Sequence, residues 1–144
     1  MASKIGSLQH DIATALGTVN EVIDHSVDVI IERGPDIATK IDEAMGRIGL
    51  LVLIGSPSLT PLSEGRGALP RYRCECPIFC VENPVTNATG LDALDLAESV
   101  LLALHDTISN HPGLSQLWAI TGVQPMQDDE VFAWQLTLTT TLFF

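Results

Sequence analysis

The last fourteen residues, Val131 to Phe144, constrain this chain most. Phe132, Trp134, Leu136, Leu138, Thr140 and Leu142 alternate with Ala133, Gln135, Thr137, Thr139 and Thr141, the period-two pattern of a strand with one apolar face. At about 3.3 Å per residue such a segment extends to roughly 46 Å. A globule of 144 residues has an expected radius of gyration of about 14–15 Å, hence a diameter of about 37 Å. The strand must bend sharply or project beyond its own domain. A projecting strand ending in Leu142, Phe143 and Phe144 is an aggregation hazard unless another subunit covers it. An oligomer is therefore expected.

A second long alternation runs from Arg71 to Val81. Tyr72, Cys74, Cys76, Ile78 and Cys80 share one face, suited to burial, and Arg71, Arg73, Glu75, Pro77, Phe79 and Val81 share the other. Pro77 donates no ladder hydrogen bond, which predicts an edge strand or a bulge. Glu82-Asn83-Pro84 ends the strand and 85–90 reads as loop. Thr89-x-x-Asp92 fits a capping box, with Asp92 as a competing N-cap. Beyond it Ala93, Leu94, Ala97, Val100, Leu101, Leu104 and Ile108 fall on one arc of a helix. Its roughly 17 residues make a rod of about 25 Å, long enough to cover a sheet. Leu102 interrupts the acidic side of that helix and is expected to be exposed.

Upstream, Ile5, Leu8, Ile12, Leu16 and Val19 predict an amphipathic helix over about 4–18. The stretch 19–32 is ambiguous: Ile23 continues the helical face, while Val27, Val29 and Ile31 alternate, and the strand reading is preferred. Gly34-Pro35-Asp36 opens a helix with Ile37, Ile41, Ala44, Met45 and Ile48 on its apolar face. Residues 48–54 are almost wholly apolar, as in a strand buried on both faces. The segment 56–70 has three prolines, two glycines and no periodicity, a long loop. Downstream, 117–123 reads as a strand, 125–129 as a connection, and 117–123 pairs with the final strand as an antiparallel hairpin. The expected fold is α+β, one domain over 1–144: a mostly antiparallel sheet of about four strands with two or three helices packed on it.

Apolar residues make up 46% of the chain and charged residues 17%, which argues against disorder and slightly towards extra buried surface, as in an oligomer. No apolar run reaches the length of a membrane span, and Met1-Ala2-Ser3-Lys4 lacks a signal-peptide core, so a cytosolic origin is expected. The net charge of −11 argues against gripping the phosphate backbone. Arg66, Arg71 and Arg73 form a local basic cluster, read as a solvated loop or as a contact with an acidic neighbour.

No pattern of catalytic residues emerges, and neither enzymatic activity, a cofactor nor a metal is expected. On a strand, i and i+2 side chains such as Cys74 and Cys76 stand about 7 Å apart, too far to share one zinc without bending, and with Cys80 further along these read as core cysteines. His105-Asp106 lacks a nucleophile elbow. Gly65-Arg66-Gly67 is too short for a phosphate loop, and Asp128-Asp129-Glu130 reads as a solvated turn.

From about Ile37 to Leu142 the layout resembles the tail terminator and tail completion proteins of long-tailed bacteriophages. The resemblance is carried by GRIGLLVLIG, by CPIFCVENPVTNATG followed by LDLAESVLLALH, and by the QLWAITGVQP / DDEVFAWQLTLTT hairpin. It implies a small α+β virion subunit that forms a homo-oligomeric ring, a hexamer, on the tail tube in the tail or neck. It also implies assembly in the bacterial host cytoplasm, with the tail tube protein and a head-tail connector protein as partners. DNA would pass the lumen without specific binding, helped by acids such as Asp92 and Asp95. The three-cysteine strand departs from the family pattern. Exposure nominates Glu64, Arg66, Arg71, Arg73, Asn83, Asn87, Leu102, Phe143 and Phe144 as subunit-interface candidates. The alternatives are another connector or minor tail subunit, or a small-molecule-binding or enzymatic α+β domain. A buried polar pocket holding His105 or the cysteines would favour the latter.

Overall fold

The computed structural model describes residues 4–62, 71–110, 119–127 and 132–143. Among these, four helices and six strands form an α+β fold: α1 (Lys4–Leu16), α2 (Asn20–Asp24), β1 (Asp28–Ile31), α3 (Ile37–Arg47), β2 (Leu50–Ile54), β3 (Ser58–Pro61), β4 (Arg71–Glu82), α4 (Ala93–Asn110), β5 (Ala119–Gln127) and β6 (Phe132–Phe143). No described helix is long and apolar enough to cross a membrane.

The sheet order is β1-β2-β4-β6-β5, with β3 also paired to β4. It is mixed. β1 and β2 run parallel, joined through α3, and every other pairing is antiparallel. The expected α+β fold with a mostly antiparallel sheet holds, and the expected about four strands and two or three helices are corrected to six and four. The stretch 19–32 supplies both of its readings, helix α2 with Val22 buried and then strand β1, separated by Ser26 at φ 53°. The long loop contributes β3 through Ser58–Pro61, and 63–70 lie outside the described residues. β5 runs further than its alternation implied, to Gln127, taking in Pro125, while 117–118 lie outside the described residues. β5 is the last strand of the order, where a missing N–H is tolerated.

Pro77 overturns a more consequential expectation. β4 is neither an edge strand nor bulged at that point. It is the central strand, paired along all twelve residues with β6 on one side and with β2 and then β3 on the other. The β2 pairing stops at Ile78 and the β3 pairing starts at Glu75, so Pro77 faces the gap between them. Its carbonyl accepts from Gly55 N at 2.7 Å on that same side, and its ring nitrogen points there too because N and C=O of one strand residue share a direction. The missing donor is thus spent where no strand needs it. Gly55 is required by the same crossing, since a Cβ there would lie 2.7 Å from Pro77 Cγ.

β6 is not a bare projecting strand either. It lies between β4 and β5, and its length is matched by β4. Only its last residues, beyond Thr139, lack β5. The oligomer inferred from an uncovered β6 therefore loses that support.

One face of the sheet is covered by α1 and α4, which bury Ile12, Leu16, Val52, Ile54, Cys76, Ile78, Cys80, Leu96, Val100, Leu104, Leu136 and Leu138 in one cluster. Full burial of each large aliphatic side chain contributes about 1.5–3 kcal/mol. Gln9, itself buried, donates to Gly55 O at 3.1 Å and so ties α1 to the end of β2. On the opposite face α3 covers β1 and β2 through Ala44, Ile37, Ile41 and Met45 over Ile30, Leu51, Leu53 and Val81. β2 is consequently buried on both faces, as its unbroken apolar run requires.

Candidate assembly surfaces

Past Val81 the α3-bearing face has no described element over it. Strand parity and register place Arg73, Glu75, Pro77 and Phe79 of β4 there, beside Thr141, Thr139, Thr137, Gln135 and Ala133 of β6, with Gln124 and Met126 of β5 next to them. The face is mostly polar and partly apolar. Arg73 Nε lies 3.1 Å from Glu75 Oε1, and both side chains are about half exposed. Thr121 and Thr139 share a hydroxyl hydrogen bond at 2.8 Å where β5 carries its irregularity. Arg71 sits at the end of the same row, half-buried, in register with Phe143.

On the other side of the molecule, α4 shows an outer stripe. Leu94 and Leu102 are 40% and 68% exposed, with exposed Glu98 between them at the i, i+4, i+8 positions of one helical side. Asp92 and Asp95 precede them and are engaged in a reciprocal cap: Asp95 N donates to Asp92 Oδ1 at 2.7 Å and Asp92 N to Asp95 Oδ2 at 3.1 Å. Asp92 is the N-cap that starts α4, and Thr89 instead accepts from Leu91 N in the preceding turn.

The turn after β4 is internal bracing as well as surface. Asn83 N donates to Gly49 O at 2.9 Å, and its Oδ1 accepts from Val85 N at 3.1 Å. Asn87 Nδ2 donates to Glu82 Oε2 at 2.7 Å and to Leu91 O, while its Oδ1 accepts from Thr89 Oγ1 at 2.6 Å. Glu82 Oε1 in turn accepts from Ala93 N at 3.2 Å. Both nominated asparagines are therefore occupied within the chain, and Val85 is the large apolar side chain that the turn exposes.

The cysteines lie in the apolar core. Cys74, Cys76 and Cys80 are free and buried; Cys76 and Cys80 pack in the cluster under α1 and α4, and strand parity puts Cys74 on the same face. Burial, reinforced by Cys74 next to it, pushes the Cys76 thiol up to about 12, and burial alone does the same for Cys80. Cys74 is raised by burial and then by the Glu75 carboxylate. Such thiols are poor nucleophiles and poor ligands because the thiolate is the reactive form. A cleft of about 280 Å³ lies elsewhere, lined by Asp28, Val29, Ile30, Lys40, Glu43 and Arg47. Arg47 is held there by Asp28 Oδ2 at 2.9 Å and Ser26 O at 2.7 Å.

Of the nominated interface residues, the structure brings Arg71 and Arg73 together on the open face and places Leu102 on the far side, on α4. Glu64, Arg66 and Phe144, and the side chains of Phe143 and His105, lie outside the described residues. Sequence reasoning missed Glu98 and the threonines of β6. Alternation assigned those threonines to one side of a strand, without telling which side carries helices.

Neither a protein-family model nor a curated protein matches this chain. Among solved structures it is similar to a chain of a structure described as the virion of a native gene transfer agent (GTA) particle, at 13% identity and a TM-score of 0.50. The likeness covers 92% of this chain and 84% of that one, and what it shows is a shared fold.

Proposed function

We propose that this chain is a structural protein of a phage-type virion, and more specifically a tail terminator. In this reading it is one domain without catalytic function that forms a ring, a hexamer, on the end of the tail tube. The ring helps join tail to head through a head-tail connector protein. The observation that carries the reading is the fold likeness to a virion protein over nearly the whole chain, in agreement with the sequence resemblance along 37–142. A sheet face that the described elements leave half open, and leucines exposed on α4, further support a subunit that works among neighbours. The net charge of −11 would let DNA pass the lumen without adhering.

The test is the mass of the purified protein by light scattering, followed by negative-stain imaging with and without tail tubes. Rings, or a concentration-dependent monomer–ring equilibrium, are expected. A protein that stays monomeric and is not recruited by added tubes sinks the reading.

A further inference from the structure

We infer that the open half of the sheet, over β4, β6 and β5, receives the outer stripe of α4 from a second copy of this chain. The inference rests on the ring reading above and names the contact that would build the ring.

The dimensions match. Three neighbouring strands at about 4.8 Å spacing present a strip of roughly 10 Å between their outer axes, and a helix with its side chains is about 10–12 Å across. The same sheet face already carries a helix, α3, over its other half. A second helix beside it would complete the layer, the usual way a sheet buries a partly apolar face. The stripe brings Leu94 and Leu102, eight residues or about 12 Å apart along the helix, against Phe79, Ala133, Met126 and the threonine methyl groups.

Charge selects the same partner. The chain carries 18 acidic residues against 7 basic ones, yet among the described residues the open half groups Arg71 and Arg73 with one carboxylate, that of Glu75. Among the described residues Arg73 is held by that surface pair, which is exchangeable because such pairs contribute about 0–1 kcal/mol. The α4 stripe supplies Glu98, with Asp95 beside it. A cationic sheet face and an acidic helix face on one molecule repel their own kind and attract each other. Because the two surfaces differ, the contact is head-to-tail, the type that closes into a ring when the rotation permits.

The experiment uses charge reversal in the full chain, with and without tail tubes. Arg73→Glu and Glu98→Arg each place like charges across the contact and should each assemble at least about tenfold more weakly than the parent. An equimolar mixture of the two should recover assembly, because alternating copies then pair Glu at 73 with Arg at 98 and Arg73 with Glu98. Recovery on mixing also excludes misfolding as the cause of the single defects. In parallel, Glu98→Cys mixed with Thr139→Cys should give a dimer with a short bismaleimide, and Glu98→Cys mixed with Asp42→Cys should not. Rings that ignore both reversals and give no such dimer overturn this contact and leave the ring reading standing. A chain that neither assembles nor cross-links, even with tubes, overturns both. DNA retention lost on Arg73→Glu, with assembly unchanged, would mark the face as a nucleic-acid surface and overturn the contact alone.

Discussion

The two halves of the sheet are finished differently. Among the described residues, β1 and β2 carry helices on both faces, α1 on one and α3 on the other, whereas β4, β6 and β5 carry them on one face only. The strand sequences record the difference. β2 is Leu50-Leu51-Val52-Leu53-Ile54, apolar at every position, while β6 alternates leucines with threonines. A continuous apolar run needs two covering layers, and an alternating run needs one. The open half is nevertheless not wholly polar. Met126 is 44% exposed, and Phe79 and Ala133 stand half-buried on that side. The difference teaches that coverage is a property to be tested on each half separately.

The largest contrast is chemical. Cys74, Cys76 and Cys80 lie on the covered side of β4, so a maleimide should reach them only when the chain opens. A cysteine placed by Thr139→Cys on the open side should label in the native monomer roughly a thousand-fold faster or more, given typical opening free energies. Labelling followed by mass spectrometry checks this. Comparable rates for position 139 and the native thiols would break the comparison. Protection of position 139 that grows with protein concentration would sharpen it, because a second copy would then supply the missing cover.

Next in size is the response to lost volume. Leu51 is fully buried under α3, and Leu51→Ala should cost about 2–5 kcal/mol in a urea titration. The covered half should also refuse an added methyl. Gly49, at φ +71°, leads into β2, and a Cβ there would meet Asn87 N and Thr86 Oγ1 at 2.5 Å. Gly49→Ala should therefore cost about 1–3 kcal/mol, with strained backbone and displaced turn both contributing. A loss under ~0.5 kcal/mol at Gly49 would mean that the Asn83–Asn87 turn is not held as tightly as its hydrogen bonds indicate.

Much of this arrangement was legible in the residues and some was not, for physical reasons. The doubly buried β2, the α4 helix, the β5–β6 hairpin and the core cysteines follow from local periodicity, which one strand or helix carries by itself. The centrality of β4 was hidden. Pro77 argues for an edge unless one knows that β2 ends and β3 begins opposite it, a relation to segments that lie well upstream in the chain. The parallel β1–β2 pair depends likewise on α3 crossing the sheet. Asn83 and Asn87 looked available because they are polar and lie in a turn, yet the turn consumes their side chains in bracing Gly49, Glu82 and the start of α4. Arg73 and Leu102 did prove exposed, but on opposite sides, so only a contact between molecules can use them together.

The smallest expected effect probes the open half most directly. Thr137 lies in the middle of β6 on that side, and its hydroxyl accepts a long contact, 3.5 Å from Gln135 Nε2. Valine has nearly the same shape, and it suits a strand at least as well. In dilute solution Thr137→Val should leave the urea midpoint within about 0.5 kcal/mol of the parent. Assembly is another matter: a methyl in place of a hydroxyl changes how the face meets an incoming helix, so the oligomer–monomer midpoint should move although the fold does not. A loss of several kcal/mol in the monomer would mean that this face is covered within its own chain, and the contrast between the halves would disappear. No change in either quantity would leave the halves different in structure but would remove position 137 from the contact.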